Sequence, residues 1–376
     1  MTKQRISWID IAKAIGLAGV IMVHSLPRDG FTSILTGSVI PVFFILYGIG
    51  HNNEKHRGNL KKYITARFRG LMIPYFILTA VMILLYWVTY PGIDFGFTPL
   101  DFVFWSIYGN GPPGRITHLW FLRVMFFAII LFSLLDRYLY DKPLVRYIIL
   151  LGSPQVAFML KSASGVQFLP YAVDAVFVAL SFMMLGNELR RFRHMASWSI
   201  NPSFDAVAVP VSLVVYTILS WANGFVNIGE SLYGQWIYIY FITGFLGTYV
   251  MCVLSYYISI HSRRLTAIAT SFNRYGQEVY EIHPLMIETN VQLLGELTLL
   301  NAITVYPGTP LFLLNLPMAI FLSWFIGAKV VSRSSILRFV FTGRSLKPPE
   351  RKPSVPISVP TEEGGEYATP PVTSTQ

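Results

Sequence analysis

The sequence predicts an all-α, polytopic integral membrane helical bundle, with about ten transmembrane helices and both termini in the cytoplasm. Of the 376 residues, 53% are hydrophobic and only 13% are charged, whereas soluble domains carry about 25% charged residues. Mean hydropathy is +0.52. Apolar stretches long enough to cross a bilayer recur along the chain, and basic residues gather in every second loop between them.

Ten apolar stretches have close to the ~20 residues that a membrane-spanning helix requires. Their approximate bounds are 7–26, 31–50, 71–91, 118–135, 144–162, 168–187, 205–223, 236–258, 279–299 and 309–330. The fifth is the weakest, because Gly152, Pro154 and Lys161 interrupt its apolar run.

The loops alternate in charge. Lysine and arginine precede the first span and cluster after the second, fourth, sixth, eighth and tenth spans, whereas loops 223–235 and 300–308 contain none. Because basic loops stay on the cytoplasmic side of a membrane, both termini are predicted to be cytoplasmic. Basic loops that orient the chain in the lipid bilayer account for the net charge of +10, so this charge does not indicate a nucleic-acid partner.

The chain divides into two predicted regions. Residues 1–340 form the transmembrane domain, and residues 341–376, rich in Pro, Ser, Thr and Glu, form a disordered cytoplasmic tail. The single Cys252 excludes a disulfide framework, and no Cys-rich pattern predicts a metal site.

The first span carries three ionisable residues that are costly in lipid. Asp10 and Lys13 are neighbours on one helix face, and His24, eleven residues after Lys13, lies within about 20° of that face and about 16 Å along the axis. A charge at the membrane centre costs about 2.5–3.5 kcal/mol, so we expect this stripe to face a polar interior. Two simpler interpretations stay open: a structural Asp10–Lys13 ion pair, and a hydrogen-bonded histidine at the outer headgroups.

Lys13, ten intervening residues and His24 match the [Arg/Lys]-X10-His signature of the membrane acyltransferase-3 family, which the chain resembles. Four further segments resemble elements of that family in the same order. They are IPVFFILYGIG (40–50), ARFRGLMIPYF (66–76), HLWFL (118–122) and YGQEVYEIHPLMI (275–287). The branch that it is most similar to is the fucose 4-O-acetylase-like one.

The chain departs from the family pattern at several positions. Tyr47 stands where Ser is usual, Val279 where Ser or Thr is common, and Glu281 where Tyr is common. Arg123 follows Trp-Phe-Leu where Pro is frequent. These departures bear on the substrate more than on the class of reaction.

The resemblance implies a multi-pass enzyme of the bacterial inner membrane. Such an enzyme moves an acetyl group from cytoplasmic acetyl-CoA, with no metal, to a hydroxyl of an envelope sugar or glycolipid. His24 is the expected general base, since imidazole titrates near neutral pH, and an acyl-imidazole intermediate is the alternative. Lys13, partnered by Asp10, guides the donor. Arg123 is the candidate for stabilising the oxyanion, unless it snorkels to the outer interface.

The donor is expected to bind from the cytoplasm. Arg67 and Arg69 lie at the cytoplasmic mouth, where they would hold the CoA phosphates, although a basic cluster there is also a topology signal. Glu281 and His283 are expected toward the cytoplasm, level with Asp10, where they would hold the CoA arm or lock two helices together.

Trp120, at the outer end of the fourth span, has two interpretations. It would stack against a sugar ring of the acceptor, or anchor the helix in the aromatic belt of the membrane.

Two other functions of the protein also stay open. One is a transporter or flippase, with Asp10, Lys13 and Glu281 as a proton relay, although no inverted repeat is visible. The other is a non-catalytic scaffold whose tail recruits partners.

Overall fold

The computed structural model of the protein describes residues 6–26, 28–51, 59–89, 98–109, 117–164, 169–191, 201–297 and 312–344. These residues are almost entirely helical, which confirms the predicted all-α class. The helices are α1 (Ser7–His24), α2 (Gly30–Thr36), α3 (Pro41–Gly50), α4 (Leu60–Arg67), α5 (Ile73–Thr89), α6 (Pro99–Tyr108), α7 (Trp120–Leu139), α8 (Pro143–Ser164), α9 (Val173–Arg191), α10 (Pro202–Asn223), α11 (Ile237–His261), α12 (Arg263–Arg274), α13 (Gly276–Leu297), α14 (Phe312–Phe325) and α15 (Ser335–Thr342). The strands are β1 (Val226–Asn227) and β2 (Leu232–Tyr233).

Within the described residues, eight helical segments are long and apolar enough to cross a membrane, so the chain is a multi-pass membrane protein. The predicted fourth and ninth spans correspond to α7, of 20 residues, and α13, of 22 residues. Both are long enough to cross, but they are too polar to be counted among the eight by composition. Ten spans with both ends in the cytoplasm therefore stay a prediction.

The third span was predicted at 71–91, but its helix begins earlier. Helix α4, a π-helical turn (Phe68–Met72) and α5 follow one another without a break from residue 60 to residue 89. Asn59 caps the start, because its side-chain oxygen accepts a hydrogen bond from the amide of Lys62 at 2.9 Å. A polar, basic stretch thus extends the helix on the side of the basic loops, which hydropathy alone does not detect.

The second span, predicted at 31–50, corresponds to the candidate span Gly30–Gly50, but its helix is interrupted. Helix α2 ends at Thr36, and α3 begins at Pro41. Proline lacks the amide hydrogen that a continuous helix requires, but it suits the first turn of a new helix. The chain therefore turns between the two halves.

Helix α9 lies at the centre of the bundle, where it packs against α3, α7 and α8. Two glycines allow its close approach to α3. A Cβ at Gly48 would lie 2.0 Å from the Met183 carbonyl oxygen, and one at Gly186 would lie 2.0 Å from the Ile45 carbonyl oxygen. Small residues at such crossings let the helix backbones meet, which is the usual way membrane helices associate.

A buried group of polar side chains, here called the arginine cluster, joins α3, α7, α8 and α9 near the basic loops. The Arg146 guanidinium donates to Glu188 at 2.7 Å, to Asp136 at 2.8 Å and to Asn187 at 2.7 Å. His51 Nε2 lies 3.3 Å from the second oxygen of Asp136. Arg146 is 1% exposed, so its charge depends on these partners.

Helix α1 is surrounded by α11, α12 and α13. Helix α12 is amphipathic and lies along the first half of α1, where Asn273 donates a hydrogen bond to Asp10 at 2.7 Å.

Beyond the last span, α15 ends at Thr342, just past the predicted domain boundary at residue 340. The predicted tail lies outside the described residues from residue 345 onward.

A short hairpin covers the side of the bundle opposite the basic loops. Strands β1 and β2 pair antiparallel, with Val226 opposite Tyr233. The Tyr233 hydroxyl donates to the Asp174 carboxylate at 2.6 Å. Burial, together with this carboxylate, raises the pKa of Tyr233 well above its ordinary value, so the hydroxyl keeps its proton. An ion pair between Arg28 and Glu230 at 2.7 Å ties the hairpin to the loop after α1.

Candidate active site

Three histidines from distant parts of the chain meet at the end of α1 opposite the basic loops, and we call them the histidine cluster. The ring centroids of His24 and His283 are 5.1 Å apart, and those of His118 and His283 are 6.1 Å apart. His283 is 0% exposed and His118 is 3% exposed, whereas His24 is exposed. His24 is thus the exposed member of the cluster.

The parallel packing of α1 and α13 brings His24 and His283 together. A Cβ at Gly276 would lie 3.7 Å from Leu17, and seven residues further along each helix His24 faces His283. His283 was predicted to lie level with Asp10 and Lys13, which is wrong. The reason is α12, which occupies the level of Asp10, so that α13 begins deeper in the bundle.

Backbone groups orient the two buried rings of the cluster. His283 Nδ1 lies 2.6 Å from the Tyr280 carbonyl oxygen, and His118 Nε2 lies 3.3 Å from the Glu281 carbonyl oxygen. The Tyr280 hydroxyl donates to the carbonyl oxygen of His118. These contacts join the turn before α7 (Thr117–Leu119) to α13. Among the described residues, no group of three or more His, Cys, Asp or Glu side chains is placed to hold a metal ion.

A cavity of about 280 Å³ leads from the basic side toward the cluster. Polar side chains of Lys13, Asn273 and Gln277 line its basic end, and the rings of Phe121 and Tyr280 line the other. The remaining wall is mostly apolar: Leu17, Val20, Ile40, Phe43, Leu71, Leu122 and Met125. Of the predicted polar stripe, Lys13 lines this internal space, whereas Asp10 pairs with Asn273.

Arg67 lies beside this cavity, and Arg69 is exposed. The Arg67 guanidinium is 5.1 Å from the ring centroid of Tyr63 and 5.9 Å from that of Tyr47, which lines the cavity. The two tyrosine hydroxyls are 2.7 Å apart. The unusual Tyr47 thus forms an aromatic support for Arg67, which a serine at that position would not provide.

Arg123 lies inside the bundle, since it is 1% exposed. Its guanidinium is 5.6 Å from the ring centroid of Tyr75 and interacts with the Tyr75 hydroxyl. Tyr280, which contacts the histidine cluster, is a further electrostatic neighbour. This position excludes snorkelling to the outer interface and leaves a buried positive charge close to the cluster.

The remaining two predicted site residues are also buried. Glu281 is 4% exposed, and its Oε1 accepts a hydrogen bond from Gln277 at 3.0 Å. Trp120 is 8% exposed because the hairpin covers it: a Cβ at Gly229 would lie 2.4 Å from its ring. The hairpin therefore shields Trp120 both from the aromatic belt of the membrane and from a sugar ring.

Sequence reasoning did not assign a role to several residues that build this region. His118 and Tyr280 both lie within motifs that carry the family resemblance, and the motifs were the available signal. Gln277 and Asn273 gave no signal, since single amides in a polar stretch are common. The structure shows that both line the cavity beside Lys13.

Comparison with known proteins agrees with the resemblance seen in the sequence. A family model described as an acyltransferase domain matches residues 6–328. No curated protein and no solved structure matches the chain. The match covers every helix and strand named above except α15. The chain therefore belongs to the acyltransferase-3 family and is a membrane O-acyltransferase.

Proposed function

We propose that this protein transfers an acetyl group from cytoplasmic acetyl-CoA to a hydroxyl of a cell-envelope carbohydrate or glycolipid, in the bacterial inner membrane. The supporting observation is the cavity that leads from Lys13 to Tyr280, beside the histidine cluster. Lys13 lies at its basic end, and its inner end is lined by Tyr280, whose ring contacts that of His283. Donor and acceptor would thus approach the same point from opposite sides of the membrane.

The basic entrance suits the donor. CoA is highly anionic, and arginine binds phosphate groups through paired hydrogen bonds. Arg67, supported by two tyrosine rings, is held at the cavity wall, and Arg69 adds positive charge at the surface. The pantetheine arm would pass Lys13 and the amide of Gln277, which Glu281 orients, and place its thioester near Tyr280.

The reaction needs a base for the acceptor hydroxyl. His24 takes that proton as the hydroxyl oxygen attacks the thioester carbonyl, and positioned bases contribute about 10²–10⁴-fold to a rate. The buried charge of Arg123 favours the negative charge that develops on the carbonyl oxygen. We propose direct transfer, because His24 faces the accessible side, where the acceptor arrives.

The test uses membrane vesicles from the native host, so that the acceptor is present. Inside-out vesicles that contain the protein receive acetyl-CoA labelled in the acetyl group, and base-labile ester in the envelope glycans and glycolipids is measured. We expect label in inside-out vesicles, little in right-side-out vesicles, and labelling slower by about 10²–10⁴-fold with His24→Ala. Equal labelling with and without the protein would refute the proposal, and glycolipid movement without labelling would indicate a flippase.

A further inference from the structure

His283 has a ring nitrogen that the proposed reaction leaves unexplained. The residue is 0% exposed, and its Nε2 has no hydrogen-bond partner among the described residues. Leaving a buried polar atom without a partner costs about 1–3 kcal/mol, and nearly all such atoms in proteins are paired. An unpaired atom beside an active site therefore indicates a partner that arrives during function.

The neighbouring proline fixes the protonation of this ring. Pro284 has no amide hydrogen, so the carbonyl of Tyr280, four residues earlier, lacks its usual helical donor. His283 Nδ1 lies 2.6 Å from that carbonyl oxygen and replaces the missing donor. Because a carbonyl oxygen can only accept, Nδ1 carries the proton, and Nε2 of the neutral ring presents a lone pair.

Of the two other rings in the histidine cluster, that of His24 is the nearer to His283. The two ring centroids are 5.1 Å apart, and the planes are tilted by 52°. One hydrogen bond of about 3 Å, added to the distance from each ring centre to its nitrogen, spans such a separation. His24 is exposed, so its ring can rotate to close the bond when substrates bind, as catalytic hydrogen bonds often do.

We propose that His283 is a positioning residue for His24, and this rests on the proposed function. Its Nε2 accepts the N–H of His24, which fixes the tautomer that leaves the other His24 nitrogen unprotonated. That nitrogen takes the acceptor's hydroxyl proton while the new C–O bond forms. The thioester C–S bond then breaks, and the thiolate takes the proton from His24. His283 keeps its own proton throughout, in the role that a third group plays in other base-assisted transfers.

The experiment measures initial rates in the inside-out vesicle assay at varied acetyl-CoA. We expect His283→Phe to lower kcat by about 10–100-fold, the usual effect of losing such an orienting partner, with KM for acetyl-CoA unchanged. In His283→Gln the amide oxygen replaces Nε2 as the acceptor, so most of the rate should return. The double variant with His24→Ala should be no slower than His24→Ala alone, because the two residues act as one unit.

A control and a second route keep the result interpretable. His261→Phe removes an exposed imidazole at the end of α11 and should leave kcat unchanged. If His283→Phe does not fold, Pro284→Ala tests the same arrangement, since the new amide competes for the Tyr280 carbonyl and should lower kcat alone. A normal kcat in the folded His283→Phe or in Pro284→Ala would overturn the inference, as would no recovery with Gln. An active His24→Ala would instead refute the proposed function.

Discussion

Two groups of buried polar side chains lie at opposite ends of the bundle, and their bonding differs. In the arginine cluster, Arg146 donates to three side chains from α7 and α9 at 2.7–2.8 Å. In the histidine cluster, rings contact one another and backbone carbonyls, and the Nε2 of His283 has no partner among the described residues. The histidine cluster contacts Tyr280, which lines the inner end of the cavity.

The difference separates polar groups that hold helices together from polar groups that act on a substrate. Each nitrogen of the Arg146 guanidinium has an acidic or amide partner, so removing this cation would leave carboxylates buried without it. A buried polar atom without a partner lowers stability, and it persists where function requires it. The variants below test this division by measuring stability and turnover separately.

The largest effect is expected at His24. His24→Ala should lower turnover by about 10²–10⁴-fold, the contribution of a positioned base, while acetyl-CoA binding and the melting temperature stay near those of the unaltered protein. Steady-state rates of acetyl transfer and a thermal unfolding scan measure the two properties. Near-normal turnover would return His24 to the simpler interpretation of a hydrogen-bonded interfacial histidine.

Arg146→Leu should have the opposite profile. Removing the cation leaves Asp136 and Glu188 buried without it, which costs about 3–5 kcal/mol. We expect a large loss of folded protein in a thermal unfolding scan, and normal turnover for each molecule that remains folded. Arg137→Leu, at an exposed position on the same side, is the matched control. Equal stability of the two variants would show that the arginine cluster does not hold the helices together.

Arg67 and Arg69 allow a comparison of a supported and an exposed arginine. Arg67→Ala should weaken acetyl-CoA binding by about 1.5–3 kcal/mol, the range for hydrogen bonds to charged groups. Arg69→Ala should cost about 0.2–1 kcal/mol, as exposed charge pairs do. Binding of acetyl-CoA to the purified protein in detergent measures both. Unchanged binding in the double variant would place the donor site elsewhere.

The smallest effect is expected from the paired change at Asp10 and Lys13. Lys13→Ala should raise the acetyl-CoA concentration needed for half-maximal rate. If Lys13 only neutralises Asp10, the double Ala variant should recover much of the loss, with a coupling of about 0.5–3 kcal/mol. Asn273 already donates to Asp10, which limits that coupling. Additive losses in the double-mutant cycle would show that Lys13 contacts the donor directly.

Much of the fold follows from local patterns in the sequence. Spans predicted at 205–223 and 236–258 match α10 and α11 closely, because their apolar runs end in turn or polar residues on both sides. The predicted start of the third span was wrong, since a capped basic helix continues into the apolar one. Hydropathy predicts which residues lie in the lipid, whereas the residues at which a helix begins and ends depend on caps and backbone hydrogen bonds.

The site was predictable only where one helix determines it. The eleven-residue spacing places Lys13 and His24 on one face of α1, and the structure places Lys13 at the cavity. The meeting of His24 with His283 joins residues far apart in sequence and depends on where α13 begins, which α12 sets. The burial of Trp120 could not be predicted either, because the hairpin that covers it is remote in the sequence and too short to carry a hydropathy signal.

The aromatic pair of Tyr280 and Phe121 closes the inner end of the cavity, with ring centroids 5.4 Å apart. An ion that enters from the basic side therefore meets an apolar constriction, where it would have to shed its hydration shell. Such constrictions block conduction by excluding water. The protein can thus keep a deep opening on the side of the basic loops without conducting ions across the membrane.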